Sequence, residues 1–188
     1  MSYTILQPPF TLKFREMSVK ELKEYDAWFH RLLPERVAGL EEEVRQAPGL
    51  SEFRADHTPG SLDALGSWFA GQVETRPRTP EEAGALAGSA PWLSVPDKEL
   101  TNRSFSLAFD VGLAFGQAIL QARPKARWDQ PLEDRKFADY GQPVIVGLGV
   151  VPLNPIRIAV TLAYGIADRR RQGSGLRQVY DYWVKQGS

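Results

Sequence analysis

Apolar positions recur at helical spacing along most of this chain and at strand spacing only in short patches. Phe10-Thr-Leu-Lys-Phe14 alternates apolar and polar after Pro8-Pro9, which predicts a half-buried edge strand or an extended arm. Ser18-Val-Lys-Glu21 is a capping box, in which each side chain satisfies a backbone donor of the other residue, so a helix begins near Val19. Behind it Leu22, Tyr25, Phe29 and Leu32 share one face. Leu33-Pro34 is expected to end or kink that helix, because proline has no amide proton and disfavours helix in the preceding residue. Val37, Leu40 and Val44 then predict a second short helix reaching Pro48-Gly49. Thr58-Pro59 opens a third, with Leu62, Leu65, Phe69 and Val73 inward. Arg76-Pro77-Arg78 reads as a break, Thr79-Pro80-Glu81-Glu82 as the start of a short helix, and residues 90–96 as a loop.

The most organised stretch is Ser104 to Asp168. Residues 104–122 are apolar nearly all round, as in a helix buried on most sides, with Ser106, Asp110, Gln117 and Gln121 confined to one stripe. Gly112 and Gly116, four apart, predict a groove where another backbone packs closely. Pro124 ends the helix and Ala126-Arg127-Trp128 reads as a strand. A long charged loop, Asp129 to Gln142, follows, with Lys136 to Tyr140 as a candidate extra strand. Pro143 to Val151 is rich in β-branched residues without alternation, as in a strand buried on both faces. Asn154-Pro155 caps a helix whose polar stripe is Arg157, Thr161, Tyr164 and Asp168. Arg169, Arg170 and Arg171 sit at its negative end, and Leu176, Val179, Tyr180, Trp183 and Val184 predict a closing amphipathic helix.

Length and composition narrow the class. The 188 residues fit a single domain with a core of its own. The sequence has no cysteine, which excludes thiol catalysis, disulfides and cysteine zinc sites and suits a cytoplasmic setting. The first 14 residues lack the basic and apolar regions of a secretory signal. Formal charge balances at 23 basic against 23 acidic side chains, and the excess over residues 123–188, 11 basic to 6 acidic, falls short of a nucleic-acid footprint. Pro143 to Ala167 carries Arg157 as its only charge, but three prolines divide it into pieces too short to span a bilayer, so no membrane is expected.

Candidate chemistry is sparse. His30 and His57 lack metal-ligand neighbours at helical spacing, and no zinc, phosphate-loop or nucleophile-elbow motif is present, so neither a metal nor a cofactor is expected and no residue is assigned as catalytic. Gly147-Leu-Gly149 is only part of a dinucleotide fingerprint. The candidate binding residues are Asp110, Asp129, Asp139, Tyr140, Arg157 and Tyr164, with Trp92 and Tyr140 as exposed anchors and an Asp110–Arg157 ion pair between the two apolar helices.

Gly112-Leu-Ala-Phe-Gly116, Pro124, Trp128, Gly141-Gln-Pro143, Asn154-Pro155 and the terminal helix, in that order, resemble an uncharacterised bacterial domain family over about residues 97–186. The resemblance implies an α+β fold, and some small bacterial domains of this kind look like immunity proteins, which neutralise a toxin by surface complementarity. The chain is therefore expected to be an α+β domain in which N-terminal helices pack on a small antiparallel sheet, two central apolar helices and a C-terminal amphipathic helix. The leading expectation for function is a non-enzymatic protein that binds another protein. The alternative is a small hydrolase using carboxylates near the 129–142 loop.

Overall fold

The structure, a computed structural model, describes residues 3–89 and 97–186. In chain order it contains α1 (Val19–Arg45), α2 (Pro59–Ala70), β1 (Thr75–Pro77), α3 (Pro80–Ser89), β2 (Lys98–Leu100), α4 (Asn102–Ala122), β3 (Arg127–Asp129), β4 (Val144–Val146), α5 (Pro155–Ala167) and α6 (Gly175–Gln186). Six helices with two small antiparallel sheets make this an α+β fold. β1 pairs with β2 and β3 with β4, so the strands form two separate ribbons.

Local signals set the helix starts. The Ser18 amide donates to the Glu21 carboxylate at 2.8 Å, and the Glu21 amide donates back to Ser18 Oγ at 3.3 Å. Thr58, Thr101 and Asn154 cap α2, α4 and α5 through their side chains. Pro34, expected to end α1, lies inside it. An interior proline costs about 3 kcal/mol. The apolar face nevertheless continues across it, burying Phe29 and Leu33 before the proline and Leu40 and Val44 after it. Each such side chain returns roughly 1.5–3 kcal/mol, which outweighs the lost hydrogen bond.

α4 is the centre, packed against α1, α2, α5, α6 and β2. Leu107, Val111, Phe115 and Ile119 are fully buried along it. It is the one described helix long and apolar enough to cross a membrane, but most of its surface is covered by the rest of the fold. Its two glycines act through space. A Cβ at Gly112 would lie 2.8 Å from Ile156 Cα and 2.9 Å from the Pro155 carbonyl, and one at Gly116 would lie 2.9 Å from the Trp128 ring. The pair thus seats the first turn of α5 and the β3 tryptophan against α4.

Several short elements differ from expectation. Of the two readings of Phe10 to Phe14, the strand does not form and the arm does; Phe10 and Phe14 pack edge-on against Tyr25, with ring centroids 5.4 and 5.1 Å away. Lys136 to Tyr140 is a chain of turns. Pro143 to Val151 pairs only at Val144–Val146, because Gly147 takes φ +87° and turns the chain out of the ribbon. Conversely, the Arg76-Pro77-Arg78 break lies largely in β1, whose Arg76 pairs with Glu99.

Candidate binding site

The six candidate residues fall into four separate places. Asp110 projects from α4 toward α1 and the N-terminal arm, where it is fully buried. Arg36 grips it with two nitrogens, Nε and Nη2, each 2.7 Å from a carboxylate oxygen. The Tyr3 hydroxyl donates to the same carboxylate. Ser106 Oγ joins them, 2.8 Å from the Tyr3 hydroxyl and accepting from the Leu6 amide at 2.8 Å, and Arg36 Nη1 donates to the Thr4 carbonyl at 2.8 Å. The cluster ties the start of the chain to α1 and α4. Burial pushes the Asp110 carboxyl up to about 6, against the pull of the Arg36 and Tyr3 hydrogen bonds.

Arg157 does not reach Asp110. It stands in the first turn of α5, facing the 129–142 loop, and donates to Asp139 at 2.8 Å. Asn154 Nδ2 donates to the other Asp139 oxygen at 2.8 Å and to Gln142 at 3.1 Å, while its Oδ1 caps the Arg157 amide at 2.9 Å. The loop is further closed by Gln130 Nε2, which donates to the carbonyls of Leu22 at 2.7 Å and Gly141 at 2.9 Å. So the loop is tied inward through Asp139 and Gln130, while Glu133 to Lys136 stay exposed. Tyr140, expected as an exposed anchor, is only 3% exposed and packs with Met17, Leu22 and Tyr25. Trp92 lies outside the described residues.

Tyr164 donates to Glu99, which also pairs with Arg78, so this contact fastens α5 to the β1–β2 ribbon. Burial, then the Glu99 bond, raises the phenol to about 12. Asp129 alone of the six candidates keeps an exposed carboxylate, on β3, with Arg127 3.9 Å away. Near it lies a pair outside the six candidates, although its spacing of four on α1 encodes it: His30 Nε2 is 3.5 Å from Asp26. Burial raises the Asp26 carboxyl, His30 opposes that, and the Asp129 charge adds to it. Among the described residues no three His, Cys, Asp or Glu side chains gather as a metal ion would require.

Two other features stand out on the surface. Between β4 and α5, residues 147–152 make a tip closed at its base by paired hydrogen bonds, Ile145 amide to Leu153 carbonyl at 2.7 Å and the reverse at 2.9 Å. Leu148 is buried beneath it, and a Cβ at Gly147 would lie 2.6 Å from the Lys125 carbonyl, so the tip rests on the turn before β3. At its crest Val150 is 100% and Val151 62% exposed. Lys125 and Arg127 beside the same turn are exposed. The second feature is a cleft of about 360 Å³ between the N-terminal arm, α4 and α5.

The fold and these features define a small α+β protein with a clamped apolar tip and an apolar cleft. No family model, no curated protein and no solved structure matches the chain.

Proposed function

We propose that the chain is a non-catalytic interaction protein that binds another protein through the 147–152 tip. The observation that carries this reading is Val150, a fully exposed valine on a loop anchored from below by the buried Leu148 and closed at its base by the Ile145–Leu153 pair. A tip fixed before binding loses little conformational freedom on docking. Exposed Lys125 and Arg127 beside it suit a partner whose apolar socket has an acidic rim. Neutralising a toxin by surface complementarity is the form of binding that the resemblance implies, and the absence of cysteine from the sequence suits a cytoplasmic setting.

Hydrolysis has less support. Acid–base catalysis needs two groups within reach of one substrate. Asp110 and Asp139 are buried in separate ion pairs with Arg36 and Arg157, and the exposed Asp129 on β3 has Arg127 as its ion-pair neighbour. The test uses the intact protein and a Val150→Asp, Val151→Asp double variant as baits in extract from the source cell. A partner held by the intact chain and lost by the variant, with circular dichroism and melting temperature unchanged, supports the reading. Burying two valine side chains is worth several kcal/mol, so the loss of affinity should be about a hundredfold or more. The same partner retained equally by both baits overturns it.

A further inference from the structure

The cleft beneath the N-terminal arm is a second place where this molecule can bind something, and its chemistry differs from that of the tip. One wall comes from Ile5, Leu12 and Phe14 of the arm, the other from Phe105 and Phe109 of α4 and Val160 of α5. None of its lining residues is charged among the described ones, in a chain with 24% charged residues. Its volume, about 360 Å³, is at the small end of the range of roughly 300–1,000 Å³ typical of small-molecule sites.

Tyr25 supplies the second observation. It lines the cleft, is 5% exposed, and has its ring clasped by Phe10, Phe14 and Trp28. Its hydroxyl makes no hydrogen bond among the described residues. Burial, then the Asp26 charge, raises its pKa, so the phenol stays protonated and remains a donor. Of the other polar side chains in the lining, Ser106 is held in the Asp110 cluster and Asn154 and Gln142 with Asp139 or each other, while Gln7 and Asn102 are exposed. The hydroxyl is not one of the buried unpaired side-chain atoms, so it meets solvent, and an acceptor on a ligand would take the place of water there.

We propose that this cleft binds a small, neutral, largely apolar molecule carrying one hydrogen-bond acceptor, which receives the Tyr25 hydroxyl while its hydrocarbon part lies against Phe105, Phe109 and Val160. A carboxylate or an ammonium of the same size binds more weakly, because the lining offers no countercharge and burying an unpaired ion is costly. This site is independent of the tip.

The experiment is a titration of the full chain at neutral pH with octanol, octanoate, octylammonium and benzene, followed by Trp fluorescence and by proton NMR. Octanol binds saturably and one-to-one, with both charged analogues weaker by about tenfold or more. Val160→Trp, which fills the cleft, lowers octanol affinity by about tenfold at unchanged melting temperature. Tyr25→Phe, which removes only the free hydroxyl, weakens octanol about fivefold and leaves benzene unchanged, as loss of one hydrogen bond should. The Val150→Asp, Val151→Asp variant binds octanol as the parent does. Equal affinity for octanol and octanoate overturns the proposal. So does the absence of saturable octanol binding, or octanol binding that survives Val160→Trp or disappears with the tip variant.

Discussion

Arg36 holds a carboxylate that has no other route to solvent, and this makes the pair sensitive in two directions. Asp110 is fully buried, and the Arg36 side chain is itself only 10% exposed. Replacing Arg36 with Leu strands the carboxylate, a loss of the kind that costs about 3–5 kcal/mol, and urea unfolding at neutral pH should register it. The same pair predicts a pH dependence. Asp110 titrates near 6 in the folded protein against 3.8 for an ordinary aspartate, so the folded state holds the proton more tightly. Its contribution to stability is therefore fully present below about pH 4 and is lost as the pH rises through 6, about 3 kcal/mol in all. Unfolding free energies measured across that window should fall in the parent, and the Asp110→Asn variant should lack this slope. An equal slope in both would assign the effect to other groups. Neither partner was legible from the pattern around Asp110, since Arg36 is 74 residues away and belongs to a helix whose apolar face, not its charges, drew attention. What the pattern did mark was a lone acid on a buried helix, and such an acid requires a cation.

Between elements, glycines separate packing from propensity. Gly112 and Gly39 both lie inside helices, but a Cβ at Gly39 meets nothing within 4 Å, whereas one at Gly112 meets the α5 backbone at 2.8 Å. Gly39→Ala should therefore stabilise the protein by about 1 kcal/mol through helix propensity alone. Gly112→Ala should destabilise it by about 1–3 kcal/mol, because α5 must move outward. Thermal melts of the two variants shifting in the same direction would contradict that division. The sequence pattern located α2, α4, α5 and α6 to within a few residues, since caps such as Thr58 and Asn154 act over three positions and apolar faces repeat along the element itself. It did not find β1 and β2. Each is three residues long, and their pairing joins Arg76 to Glu99 across a helix, so neither strand carries enough periodicity to show. The long α1 was hidden for another reason: Pro34 is a strong local breaker, and only burial against the rest of the fold overrides it.

On the scale of the whole molecule, α4 decides how stability is shared. It touches helices from both halves of the chain, and the Asp110 and Asp139 clusters add polar ties from the arm to α4 and from the 129–142 loop to α5. A molecule connected through one central helix unfolds as a unit, because removing either half exposes α4. Four of the five tryptophans sample that unit from different places: Trp28 on α1, Trp68 on α2, Trp128 on β3 and Trp183 on α6. Urea unfolding followed by Trp fluorescence and by far-ultraviolet circular dichroism should therefore give superimposable transitions. Within the native state, protection should still be graded. Local opening costs least where few apolar side chains are buried. Residues 80–86 of α3 bury no side chain fully, while α4 buries thirteen residues, all but Gly112 and Gly116 with side chains. Amide exchange should thus be fastest in α3 and slowest in the middle of α4, around Val111 to Phe115, where opening requires global unfolding. Two resolved unfolding transitions, or α3 amides protected as strongly as those of α4, would mean that the two halves are stabilised separately and that α4 does not couple them.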